Sequence, residues 1–173
     1  MKTVGIIGGM SWESTSTYYK RLNQLINKRL GGLHSAEILL ASLDFAPIEE
    51  MQSKGDWDAA TQALIAKARQ LEKAGAESIV IATNTMHKVA PQVEDAVKLP
   101  LLHIVDAVAE HLKQNNVNQV GLLGTRFTMQ QPFYKERLEQ QNIKVLIPGE
   151  SDGNTVDNII FKELCHGQFT DNA

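Results

Sequence analysis

Short apolar runs rich in β-branched residues recur along the chain with helix-length stretches between them, and this alternation limits its possible folds more than any other feature. The runs fall at residues 4–7, 37–43, 78–83, 101–105, 120–124 and 145–148. They are continuous instead of half-polar, so each strand is expected to be covered on both faces. That is the property of parallel sheets built from βαβ units. Residues 56–74 repeat Ala60, Leu64, Ala68 and Leu71 at helical spacing and stop before Gly75, which suits the left-handed position after a helix. Pro91 suits the first position of a further helix that must end before Pro100, which leaves residues 83–88 as a loop or one short turn.

No linker rich in Gly, Ser or Pro divides the 173 residues. The division comes from an internal repeat: Val4-Gly5-Ile6-Ile7-Gly8-Gly9-Met10 returns as Val120-Gly121-Leu122-Leu123-Gly124-Thr125-Arg126, 116 residues further on. It predicts an α/β fold of two pseudo-symmetric Rossmann-like halves, residues 1–99 and 100–173, each a parallel sheet flanked by helices. The second half is expected to be incomplete, because its counterpart of the loop at Thr83 would fall past Ala173.

Composition removes several functions. With 43% hydrophobic residues the chain can bury a core. A net charge of −3 and no basic run argue against nucleic acid. No apolar stretch nears the roughly 18 to 20 residues needed to cross a bilayer, and nothing after Met1 resembles a cleavable signal, so a cytoplasmic protein is expected. The single cysteine, Cys165, forbids an internal disulfide or a Cys-based zinc cluster and is expected to be a small buried residue.

Sites on open α/β sheets form beyond the carboxyl ends of the strands. Three such loops are chemically unusual. In Gly8-Gly9-Met10-Ser11-Trp12-Glu13-Ser14 the glycines permit close backbone approach and the following helix start favours an anion; the G-x-G-x-x-G spacing of a dinucleotide site is absent. Ala82-Thr83-Asn84-Thr85-Met86-His87-Lys88 gathers small polar groups and an imidazole at one strand end, either as a site or as a capped turn with a structural histidine. Gly124-Thr125-Arg126 echoes the first loop, and Arg126 either forks a carboxylate or faces solvent. Glu49-Glu50-Met51-Gln52, before the long helix, reads from composition as a solvated acidic turn, with Trp57 anchoring the helix start.

Together these segments resemble the aspartate/glutamate racemase family, through Gly8-Gly9-Met10-Ser11-Trp12-Glu13-Ser14-Thr15, Gly31-Gly32-Leu33-His34-Ser35-Ala36, Met51-Gln52, Thr83-Asn84-Thr85-Met86-His87-Lys88 and Leu123-Gly124-Thr125-Arg126-Phe127-Thr128-Met129. The likeness is greatest to the bacterial branch specific for L-aspartate and L-glutamate, in which the middle loop reads T-N-T-M-H. It implies racemisation of an acidic amino acid without pyridoxal phosphate or any other cofactor or metal, one proton-transferring residue in each half, and a homodimer. By the same likeness Thr83 is the catalytic residue of the first half, Met10, Gln52, Thr83, Asn84, Thr85 and Thr125 contact the substrate, and His87 supports the loop from behind. Arg126, Lys162 and helix N-termini remain open as partners of the side-chain carboxylate.

Two departures qualify this expectation. Most of the family carries cysteine where Thr83 stands, and a threonine hydroxyl is a far weaker acid than a thiol of pKa about 8.5. It can deliver a proton but abstracts one badly, and the resemblance to the Thr-bearing branch implies a one-directional enzyme that starts from the L isomer with the second-half cysteine as base. The family's second catalytic cysteine, in a G-C-T-E motif, does not occur in this sequence, and Cys165 lies on a different segment. Activity of this chain is therefore expected to be impaired, with a non-catalytic binding module for acidic amino acids, an inactive fragment with open sheet edges, or a related decarboxylase or isomerase as rival readings.

Overall fold

The computed structural model describes residues 1–170, in two compact units. The first comprises Met1–Thr83 and Val89–Leu102; the second comprises Asn84–Lys88 and the chain from His103 onward. The junction thus falls at Leu102, and a five-residue piece of the Thr83 loop belongs by its contacts to the second unit.

In the first unit β1 (Val4–Gly8) lies between β2 (Ile38–Ser42) and β3 (Ser78–Ile81), all parallel, with Val4 opposite both Ile38 and Ser78. The expected parallel βαβ plan is present, with α1 (Trp12–Leu30) linking β1 to β2, and α2 (Phe45–Lys54) and α3 (Trp57–Lys73) linking β2 to β3. Helix α3 begins where Asp56 accepts a hydrogen bond from the Ala59 amide and ends as Gly75 takes φ +95°. Its buried stripe of Ala60, Leu64, Ala68 and Leu71 is the one that the spacing predicts, and it packs against β1 and β2. Gly5 allows that approach: a Cβ there would lie 3.0 Å from Ala76 Cβ and 3.3 Å from Leu71 Cβ. Ile6, Ile7, Ile79 and Ile81 are fully buried in the sheet.

The strand expected at residues 101–105 is not formed. Only Leu101 pairs, as an isolated parallel bridge to Ile79. The chain then turns into α5 (Ile104–Gln114), because His103 caps the helix start by accepting from the Val105 amide. Local β-branching at Ile104 and Val105 yields to that cap and to burial of Val105 and Ala109 on one helix face. Before this, α4 (Ala90–Asp95) carries Pro91 near its start and ends ahead of Pro100, as the prolines predict.

In the second unit β4 (Gln119–Gly121) pairs in parallel with β5 (Lys144–Leu146). Between them run α6 (Arg126–Gln130) and α7 (Pro132–Glu139), and after them α8 (Glu150–Lys162). Val105, Ala109, Leu122, Tyr134, Leu138, Ile143 and Val145 form its core. Both strands are shorter than the sequence suggests, although a further bond from the Leu122 amide to the Leu146 carbonyl extends the ladder. No helix of the described residues is long and apolar enough to cross a membrane.

Candidate functional site

In the first unit, the close approach that Gly8 and Gly9 permit is to the protein's own chain. A Cβ on Gly8 would run into Thr15, and one on Gly9 would run into the backbone of Leu43, while Gly9 itself sits at φ +91°. The buried Thr15 hydroxyl accepts from the Gly9 amide at 2.8 Å and donates to the Ser11 carbonyl at 2.9 Å. Ser14 Oγ lies 3.0 Å from both the Ser11 and the Ala82 carbonyl oxygens, and the Ala82 amide donates to the Ile7 carbonyl. The end of β1 is thereby tied to the residue before Thr83, which is half-buried. Met10 is buried within this loop.

The acidic turn expected around Glu49 is helical. Asp44 caps α2, which exposes Glu49 and Glu50 and buries Ile48 and Gln52 one turn apart. At 3% exposure Gln52 is a polar side chain taken into the interior, which requires hydrogen-bond partners. Trp57 opens α3, half-buried, as expected of an anchor.

In the second unit, Asn84 is exposed and its carbonyl accepts from the His87 amide, starting the 3-10 turn Thr85–Val89. Thr85 is buried, and its hydroxyl lies 2.8 Å from that of Thr125 and 3.5 Å from that of Thr128. Thr125 and Thr128 hydroxyls are themselves 3.2 Å apart, and Thr125 caps α6. Two expected site residues, 40 positions apart, therefore meet in a triangle of hydroxyls, each able to donate one hydrogen bond and accept others. Thr128 was not expected there. Its signal is the Thr-x-x-Thr spacing after Gly124, where a Cβ would lie 3.0 Å from Thr128 Cγ2.

His87, two residues after Thr85, is fully buried. Its Nε2 accepts from the Ile104 amide at 3.2 Å, and its ring meets that of His103 edge-on with centroids 4.6 Å apart. His103, also buried, has its pKa lowered to about 4, first by burial and then by the Arg137 guanidinium, with Asp106 opposing. Arg137 donates two 2.7 Å bonds to the Asp106 carboxylate and holds it below its usual range. Burial lowers the ammonium pKa of half-buried Lys88.

The remaining candidates are exposed or half-buried. Arg126 is exposed, with its guanidinium 4.9 Å over the Phe127 ring, and its amide donates to Asp157. Lys162 is exposed at the end of α8. Cys165 sits in the 3-10 turn Leu164–His166 and is half-buried, so the expectation of a fully buried core thiol is corrected: a turn at the chain surface cannot enclose it.

The model of the Asp/Glu/hydantoin racemase family matches residues 7–173, and the chain belongs to that family. A candidate Asp/Glu racemase from Yersinia pestis is 53% identical, with a TM-score of 0.90 over 99% of this chain and 75% of the other. An aspartate racemase homologue from Pyrococcus horikoshii OT3 is 37% identical, with a TM-score of 0.83 over 97% of this chain and 74% of that one. The broad specificity amino-acid racemase RacX of Bacillus subtilis (strain 168) is 26% identical over 144 residues, covering 83% of this chain. The matched region is 63% of that relative's length.

Proposed function

We propose that the chain recognises an acidic amino acid, L-aspartate or L-glutamate, and takes part in cofactor-independent proton transfer at its Cα. In this reading Thr83 delivers a proton on one face of the carbon, while Met10, Gln52, Asn84, Thr85 and Thr125 contact the substrate. The observation that carries the reading is the 2.8 Å contact between Thr85 and Thr125: two strand-end loops, each matching a family motif, meet on side chains suited to binding carboxylate and amine groups. His87 backs the loop through the Ile104 amide, the supporting role that the resemblance implies. A homodimer, on family likeness, and a cytoplasmic location, on the reading of the sequence, belong to the same proposal.

Inversion needs a proton removed from one face and another delivered to the opposite one. Thr83 is a poor base, and the lone thiol of these 173 residues, Cys165, lies on a different turn from the hydroxyl triangle. Residues 1–173 alone are therefore proposed to bind acidic amino acids with slow turnover, below the roughly 1 per second at the low end of ordinary enzymes. Calorimetry should rank L-aspartate and L-glutamate well above leucine, and chiral chromatography should show little D isomer. Leucine binding as tightly as aspartate removes the acidic-substrate assignment, and fast racemisation removes the account of the missing base.

A further inference from the structure

The start of α5 is held by two imidazoles, and neither can hold it once protonated. His103 Nδ1 accepts from the Val105 amide at 3.2 Å and His87 Nε2 accepts from the Ile104 amide at 3.2 Å. Each accepting nitrogen must be without hydrogen, so each ring is a neutral tautomer with its proton on the other nitrogen; an imidazolium has two donors and no acceptor. A cation here would also face the positive end of the α5 dipole and the second ring at 4.6 Å. The charged groups that act on His103 are Arg137 on α7 and Asp106 on α5 itself, already bound to each other, and Asp106 also faces His87, which the 3-10 turn contributes. His87 is in turn two residues from Thr85 of the hydroxyl triangle, within the Asn84–Lys88 segment that packs as part of this unit.

We propose that His103 is a positioning residue that, together with His87, clamps the Asn84–Lys88 segment to the start of α5 only while the imidazoles are neutral, so that acid releases the segment. Protonation of His103 breaks its bond to the Val105 amide and turns its edge contact with His87 repulsive. His87 then loses the neighbour that orients it toward Ile104, and Thr85 loses its fixed distance to Thr125. The clamp stands on the histidine geometry; only its effect on aspartate binding rests on the proposed function. The lowered pKa of His103 is consistent in sign, since a ring stabilised as the neutral species resists protonation until well below its usual range.

The test is an NMR titration of the whole chain from pH 7.5 to 3.5, following labelled histidine rings and backbone amides. The wild type should show the His103 ring titrating with a midpoint of about 4, with the amides of Val105, Ile104 and Thr85 moving at the same midpoint while those of β1 and β3 stay in place. His103→Asn retains a capping side chain without a titrating ring, and there the Thr85 amide should hold its position through the same range. A His103 midpoint near 6.5, or an unchanged acid transition of Thr85 in His103→Asn, overturns the proposal. If the β1 amides collapse at the same midpoint in both proteins, acid is unfolding the chain by another route and the clamp is refuted. Aspartate calorimetry at pH 7 and pH 3.5, on either side of that midpoint, then separates the two readings. Affinity lost with the Thr85 shift in the wild type, and retained in His103→Asn, supports both. Clamp behaviour with no aspartate binding at any pH upholds the clamp and removes the substrate assignment.

Discussion

Gly8, the last residue of β1, and Gly124, three residues past β4, each lie against a buried threonine of the helix that follows, yet the two threonines do different work. Thr15 is consumed by its own loop, accepting from Gly9 and donating to Ser11. Thr128 faces Thr85 and Thr125, hydroxyls that come from two separate loops. The difference traces to the next position of the repeat. Gly9 takes φ +91° to pass the backbone of Leu43, whereas Thr125 has φ −62° and caps α6. Where the chain must squeeze past a neighbouring strand end, the threonine locks the backbone; where it turns directly into a helix, the threonine is left to other side chains.

Exchanging the chemistry at Gly9 and Thr125 gives the strongest test of that comparison. Gly9→Ala combines a left-handed backbone with a collision against Leu43, and should lower stability in urea by about 3 kcal/mol or more. Thr125→Gly keeps a tolerable cap but takes a 2.8 Å partner from the buried Thr85 hydroxyl, and should cost less, about 1 to 2 kcal/mol. Equal losses in the two variants would show that Gly9 is not the constrained position.

Removing each hydroxyl while keeping its shape comes next. Thr15→Val leaves the buried Gly9 amide without its acceptor and should cost about 1 to 3 kcal/mol. Thr128→Val leaves Thr85 and Thr125 still bonded to each other, so its stability loss should stay near 1 kcal/mol or less. The same variant should weaken aspartate binding in calorimetry. A reversed order, with binding lost in Thr15→Val and stability in Thr128→Val, breaks the assignment of structural and functional roles.

Thr83→Cys probes the first unit's proposed chemistry. A thiol can be tuned to a thiolate base, so exchange of the α-proton of D-aspartate in D₂O should rise by roughly 10²-fold over the wild type. Unchanged exchange would locate proton transfer elsewhere.

The smallest effect belongs to the exposed Asp106–Arg137 pair of the second unit. Arg137's hydrogen bonds lower the Asp106 pKa, so the pair's stabilisation is fully present above the unfolded carboxylate's pKa of about 3.9 and is lost as pH falls through the lower folded value. Arg137→Gln should flatten this acid loss, by less than about 1 kcal/mol for so exposed a pair. It should also raise the His103 midpoint, because the guanidinium helps keep that ring neutral. Urea unfolding between pH 3 and pH 6 measures the first effect and ring NMR the second.

Sequence and structure agree where the information is local. The stripe of Ala60, Leu64, Ala68 and Leu71 specifies α3 because only a helix places those four residues on one face, and the apolar run at Val4 specifies a strand covered on both sides. The loops at Thr83 and Gly124 were also legible, since strand ends carrying small polar residues are unusual. Tertiary contacts decided the rest. Ile104 and Val105 have the branching of a strand but become helical under the His103 cap, and Gln52 follows two exposed glutamates yet is buried, because the turn of α2 places it beside Ile48. Nothing along the chain announces that Thr85, Thr125 and Thr128 share their hydroxyls or that His103 lies edge-on to His87. Periodicity encodes which face of one element is buried. Which polar groups then meet depends on loop paths and on the packing of α5, α6 and the 3-10 turn, contacts between residues tens of positions apart that no local pattern records.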